Sequence, residues 1–93
     1  MGDIVVDSGC EQAMRTRSSI LPAGVVSVGG VVPKGSTIRV LSEMKQEIAR
    51  GIVNYDSESL SKIMGKHTDE IKGLIYGDVY DEVIHRDNMV LLV

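Results

Sequence analysis

The sequence predicts a mainly β fold with short helices: a small, partly open β-barrel decorated by helices, formed by residues 1–93 as a single domain. Three observations lead there. β-Branched residues are abundant and ten glycines punctuate them, a composition of strands and turns. The short apolar runs mostly alternate, as half-buried strands do, and only a few stretches carry helical spacing. Aromatics are scarce (three Tyr, no Phe, no Trp), so a core must come from Val, Ile, Leu and Met, which 93 residues can bury without disulfides or metals.

Taken in order, Asp3-Ile-Val-Val-Asp7 reads as a strand. Ser8, with Glu11 at capping-box spacing, predicts a helix from Gly9 to Arg15 with Ala13 and Met14 on its apolar side. A polar loop carrying Arg17 leads to Leu21-Pro-Ala-Gly24, a turn, and then to a strand over Val25 to Val28. A Gly/Pro-rich connection precedes the alternating strand Thr37-Ile-Arg-Val-Leu41. After a polar turn, Glu47 to Tyr55 alternates again, with Ile48 and Ile52 facing inward and Gly51 marking a bulge or a close backbone approach.

Asp56 or Ser57 caps a helix in which Leu60, Ile63 and Met64 share one face, and Gly65 stops it. Thr68 caps a further short helix with Asp69 and Glu70 in its first turn. Apolar Val83-Ile84 and Met89-Val-Leu-Leu-Val93, joined by Arg-Asp-Asn, read as a terminal hairpin turning at Arg86 to Asn88. The count, about five or six strands and three helices, is what a helix-decorated small barrel requires.

Composition also excludes. The net charge is −3, so no global basic field draws the chain to DNA or to a membrane. No apolar run has the length of a membrane span, and the single cysteine, Cys10, suits a reducing compartment; a cytoplasmic protein is expected. His85-Arg86-Asp87 spells the start of a protein-kinase catalytic loop, but its Asn follows directly as Asn88 and no glycine-rich phosphate loop precedes it. Gly65-Lys66-His67-Thr68 imitates the end of a phosphate-binding loop, yet position 60 is Leu where that loop needs Gly. His67 and His85 lack partners at metal-ligand spacing, and Asp78, Asp81, Glu82 and Asp87 read as a solvated acidic surface. No catalytic residue, cofactor site or metal site is expected in this chain.

Arg15 and Arg17, around a glycine-containing loop at a helix end, could hold a phosphate; on an acidic chain they more often stay solvated.

The stretches Val6-Asp-Ser-Gly9, Ser18 to Val28 (SSILPAGVVSV), Ile48 to Ile71 (IARGIVNYDSESLSKIMGKHTDEI) and Asp81 to Leu92 (DEVIHRDNMVLL) together resemble the C-terminal PUA domain of bacterial glutamate 5-kinase. The Leu-Pro-x-Gly-Val turn is shared by PUA domains generally. Arg17 stands where the family often has Gly, and Tyr76-Gly-Asp-Val-Tyr80 replaces the usual Gly-Tyr-x-Tyr-Gly.

The resemblance implies a PUA-like pseudobarrel. It also implies a parent enzyme that transfers the γ-phosphate of ATP to L-glutamate, the first step of proline synthesis. The ATP, magnesium, glutamate and proline sites of that family lie in an N-terminal amino-acid kinase domain outside these residues. The implied partners are that kinase domain and, through the parent, further copies of the enzyme. PUA domains elsewhere bind structured RNA, which here would place Arg15, Arg17, Ala23, Gly24 and Arg50 on the binding surface. The acidic charge and the three tyrosines weigh against RNA, which draws on Lys, Arg and stacking aromatics.

Overall fold

The computed structural model describes residues 2–75 and 79–92, and the expectations for Tyr76 and Asp78 lie outside them. Five strands, β1 (Asp3–Val6), β2 (Val25–Gly29), β3 (Thr37–Leu41), β4 (Glu47–Ile52) and β5 (Met89–Leu91), form one mixed sheet in the order β2-β1-β3-β4-β5. Three helices, α1 (Ser8–Arg15), α2 (Ser57–Ile63) and α3 (Thr68–Ile71), pack with two single-turn 3-10 helices at Pro22–Gly24 and Arg86–Asn88.

β1 pairs antiparallel with β2 and parallel with β3, and its Ile4, Val5 and Val6 are all buried. An inner strand covered on both faces reads as a continuous apolar run, and this one does. Ile4, Val6, Ile38, Val40, Leu60, Ile63, Ile71 and Ile84 lie in one aliphatic core. The aromatic share of that core is Tyr55, whose hydroxyl donates to the Tyr80 carbonyl at 2.6 Å and accepts the Tyr80 N–H at 2.5 Å.

Several local expectations need correction. The α1 N-cap is Asp7, not Ser8: Asp7 Oδ1 accepts the Cys10 N–H at 2.7 Å, while Glu11 turns to Arg15 instead of closing a capping box. α3 begins at Thr68 with His67 as its cap position, and the Glu70 carboxylate accepts the His67 N–H at 3.1 Å. As expected, by contrast, Asp56 caps α2 by accepting the Ser59 N–H, and Gly65, at φ +78°, ends that helical segment.

In β4, Ile48 and Ala49 are both buried and Ile52 faces outward, 43% exposed. Leu41 pairs with Glu47 and Val40 with Ala49, so Ile48 is an extra residue. That bulge shifts the alternation by one and carries Ile52 to the solvent side. Gly51 is instead the site of close approach: a Cβ there would lie 2.7 Å from Ile84 Cγ2 and 2.9 Å from the Asn88 carbonyl oxygen.

The expected terminal hairpin does not form. Val83 and Ile84 pair with Ile20, whose N–H donates to the Ile84 carbonyl at 3.0 Å and whose carbonyl accepts the Val83 N–H at 2.7 Å. β5 pairs with β4. Arg86–Asn88 is a 3-10 turn stopped down by His85, whose Nδ1 accepts the Asp87 N–H at 3.0 Å. It redirects the chain from Ile20 to the sheet edge without folding it back on itself.

Candidate functional site

The C-terminal end of α1 builds one wall of the site. After Arg15 the chain wraps tightly: the N–H groups of Thr16 and Ser18 donate to the Ala13 carbonyl and that of Arg17 to the Met14 carbonyl. This wrap puts Arg17 at φ +67°, the left-handed region that favours glycine. The next residues are tied to the far end of the chain, because Ser19 Oγ accepts the Arg86 N–H at 2.8 Å and Ile20 pairs with Ile84. The tie brings Arg86 to the loop that carries Arg17.

Arg15, Arg17 and Arg86 line an open groove of about 720 Å³ between α1 and β5, floored by Met14, Met89 and Leu91. Asp87 is its acidic member. Arg15 is shared with Glu11 at 3.1 Å, an exposed pair that holds the guanidinium only weakly. Among the described residues, Arg17 and Arg86 make no side-chain ion pair. The arrangement offers two uncommitted guanidinium forks and one lightly held one, suited to bidentate recognition of carboxylate or phosphate.

Arg50 lies on the other flank of β5, in a second shallow depression shared with Thr37, Asn88 and Val90. Its guanidinium pairs with Glu47, and that hydrogen bond holds the Glu47 carboxyl below its usual range. Ala23 and Gly24 lie apart from both depressions. Gly24 packs on Cys10 in the first half of α1, where an added Cβ would meet Cys10 Cβ at 2.7 Å, and its carbonyl accepts the Asp7 N–H. The five sequence candidates thus divide: Arg15 and Arg17 share a groove, Arg50 stands across β5, Gly24 packs against the start of α1, and Ala23 lies beside it in the 3-10 turn. Arg86 was missed. Its position in the sequence signals only a turn, and the link through Ser19 exists only in the folded chain.

Burial, with the nearby Asp7 carboxylate, pushes the Cys10 thiol up to about 11, so the protonated thiol packs as a small apolar group. Gly65 to Thr68 joins α2 to α3, and the Gly65 N–H donates to the Pro22 carbonyl. Among the described residues no three His, Cys, Asp or Glu side chains gather as metal ligands, and no helix is long and apolar enough to cross a membrane.

A single mixed sheet with β1 inside it between β2 and β3, a Pro-Ala-Gly turn against the first helix, and short helices at the ends define the class. The family model described as "PUA domain" matches residues 2–75, and the chain belongs to that family. It is similar to a glutamate 5-kinase of Dictyoglomus thermophilum, with 44% identity over 92 residues, covering 98% of this chain and 25% of that enzyme. The chain spans about a quarter of the length of the curated glutamate 5-kinases it matches. Among solved structures, a PUA domain from Aeropyrum pernix in a tartrate complex superposes with a TM-score of 0.62 at 22% identity, over 94% of this chain and 44% of that one. A chain of the archaeal box H/ACA sRNP Nop10-Cbf5 complex gives 0.64 at 16% identity, over 94% and 26%. At such identities these two likenesses speak for the fold.

Proposed function

We propose that this chain is a non-catalytic accessory module of a cytoplasmic glutamate 5-kinase, serving assembly or regulation through contacts with the amino-acid kinase part of the enzyme. The observation that carries the reading is the 44% identity across 98% of this chain to one quarter of a glutamate 5-kinase. ATP, magnesium and glutamate belong in this reading to the kinase part, and none of the residues described above is assigned to phosphoryl transfer. The test compares a full-length relative with a version lacking the matching segment. Phosphotransfer to glutamate should persist in the shortened enzyme, while subunit assembly, read by sedimentation, or the response to proline changes. Phosphorylation of glutamate by the isolated 93-residue chain with ATP and magnesium would overturn the reading.

A second reading, RNA binding in the manner of other PUA domains, is favoured by the groove of Arg15, Arg17 and Arg86 and by the likeness to a chain of a box H/ACA sRNP complex. Phosphate neutralisation gives a steep salt dependence. Titration with tRNA at low salt decides it: affinity no higher than that of a charge-matched acidic polymer, without a salt slope, removes this reading.

A further inference from the structure

We propose that the open edge of β5, together with Arg15, Arg17 and Arg86, is a docking groove for an acidic, extended polypeptide segment that joins the sheet as a further strand. The proposal rests on the reading of this chain as an accessory module and names the surface and the chemistry of its protein partner.

The backbone supplies the first argument. The Leu92 N–H donates to the Ile48 carbonyl at 2.9 Å, and Val90 sits opposite Arg50. Peptide groups alternate sides along an antiparallel strand, so those of Met89 and Leu91 point away from β4, toward the open edge. Both residues line the groove beside α1. The opposite edge of the sheet, β2, is treated differently, because α2 packs against it.

The β5 edge carries little of the usual protection beyond its three-residue length. Native edges are also blunted by lysine, proline or inward-pointing charge. Here the strand reads Met-Val-Leu followed by Leu92, with Val90 65% and Leu92 50% exposed. Main-chain hydrogen bonds along such an edge supply affinity for an extended peptide, and flanking side chains supply selectivity.

Charge selects the partner. Three guanidinium groups rim the groove, opposed by Asp87 and by Glu11 beside Arg15. Carboxylates spaced every second residue along an added strand would face that rim from one side. Arg17 keeps its place there in a left-handed backbone conformation that glycine would adopt more readily. Local strain of this kind collects at binding sites. The floor is Met14, Met89 and Leu91, with no aromatic ring among the described lining residues. Unstacked bases therefore find no aromatic platform among them, which favours a carboxylate-bearing peptide over single-stranded RNA.

The probe is a short synthetic peptide alternating glutamate and threonine, titrated into the 93-residue chain and followed by amide NMR. Its lysine-threonine counterpart and an oligouridylate of equal charge serve as comparisons. The expected result is perturbation and exchange protection of the Met89 and Leu91 amides by the acidic peptide alone, with affinity roughly tenfold weaker in each of Arg17→Glu and Arg86→Glu. These side chains are exposed, so both variants keep the fold. Equal binding of the lysine peptide, tighter binding of the oligonucleotide at the same amides, or perturbation confined to other strands overturns the proposal. So does self-association through β5 in sedimentation of the free chain. If the acidic peptide does not bind while loss of the matching segment still alters assembly of a full-length kinase, the docking mode falls and the accessory reading stands.

Discussion

Gly51 sits where β4, β5 and the segment holding Ile84 converge, with no room for a methyl group. In Gly51→Ala the new Cβ must push aside Ile84 Cγ2 at 2.7 Å and the Asn88 carbonyl at 2.9 Å, the second being backbone. The expected loss is about 1–3 kcal/mol of stability, read as a lower urea midpoint with an unchanged slope. Arg17 presents the opposite case. Arg17→Gly relieves the left-handed backbone and should stabilise the chain by about 1 kcal/mol while weakening binding of acidic ligands to the groove. A thermal melt together with the peptide titration checks both halves. A gain in stability without loss of binding would show that the guanidinium is a bystander. The glycine-like position of Arg17 was legible in the family resemblance, but its strain was not.

Among the elements, strands were more legible than their pairing. β1, β3 and α2 stand where an apolar run, apolar alternation and helical spacing respectively put them, because each buries the side chains that the sequence pattern records. β4 departs at Ile48, since a bulge adds one residue and reverses which later side chains face inward. Periodicity carries no mark of that insertion. The terminal segment departs for a related reason: Arg-Asp-Asn suits a hairpin and a 3-10 turn equally well, and the distant partner Ile20 decides between them. The cap of α1 was misjudged by one residue because Asp7 and Ser8 are both good caps. Asp7→Ala should therefore cost about 1 kcal/mol and Ser8→Ala close to nothing, measured by chemical unfolding. A reversed order would return the cap to Ser8.

For the whole molecule, net charge misleads about local charge. A chain of net charge −3 still gathers Arg15, Arg17 and Arg86 on one groove. Two of the three were adjacent enough in sequence to be noticed, and the third arrives through the Ser19–Arg86 hydrogen bond. The order β2-β1-β3-β4-β5 carries a different consequence. The sheet's first strand in sequence lies inside the sheet, and one of its neighbours, β3, is a parallel partner reached only after α1 and β2. Closing such loops costs chain entropy before any contact rewards it, so sheets of non-local pairings assemble slowly. Refolding by dilution from urea should proceed in milliseconds to seconds, far slower than a helical chain of this length. A stopped-flow trace complete within its dead time would contradict this. During synthesis β1 emerges without either neighbour, so its Ile-Val-Val run stays exposed until β2 and β3 follow, and of this sheet's strands it is the one that waits longest for shelter.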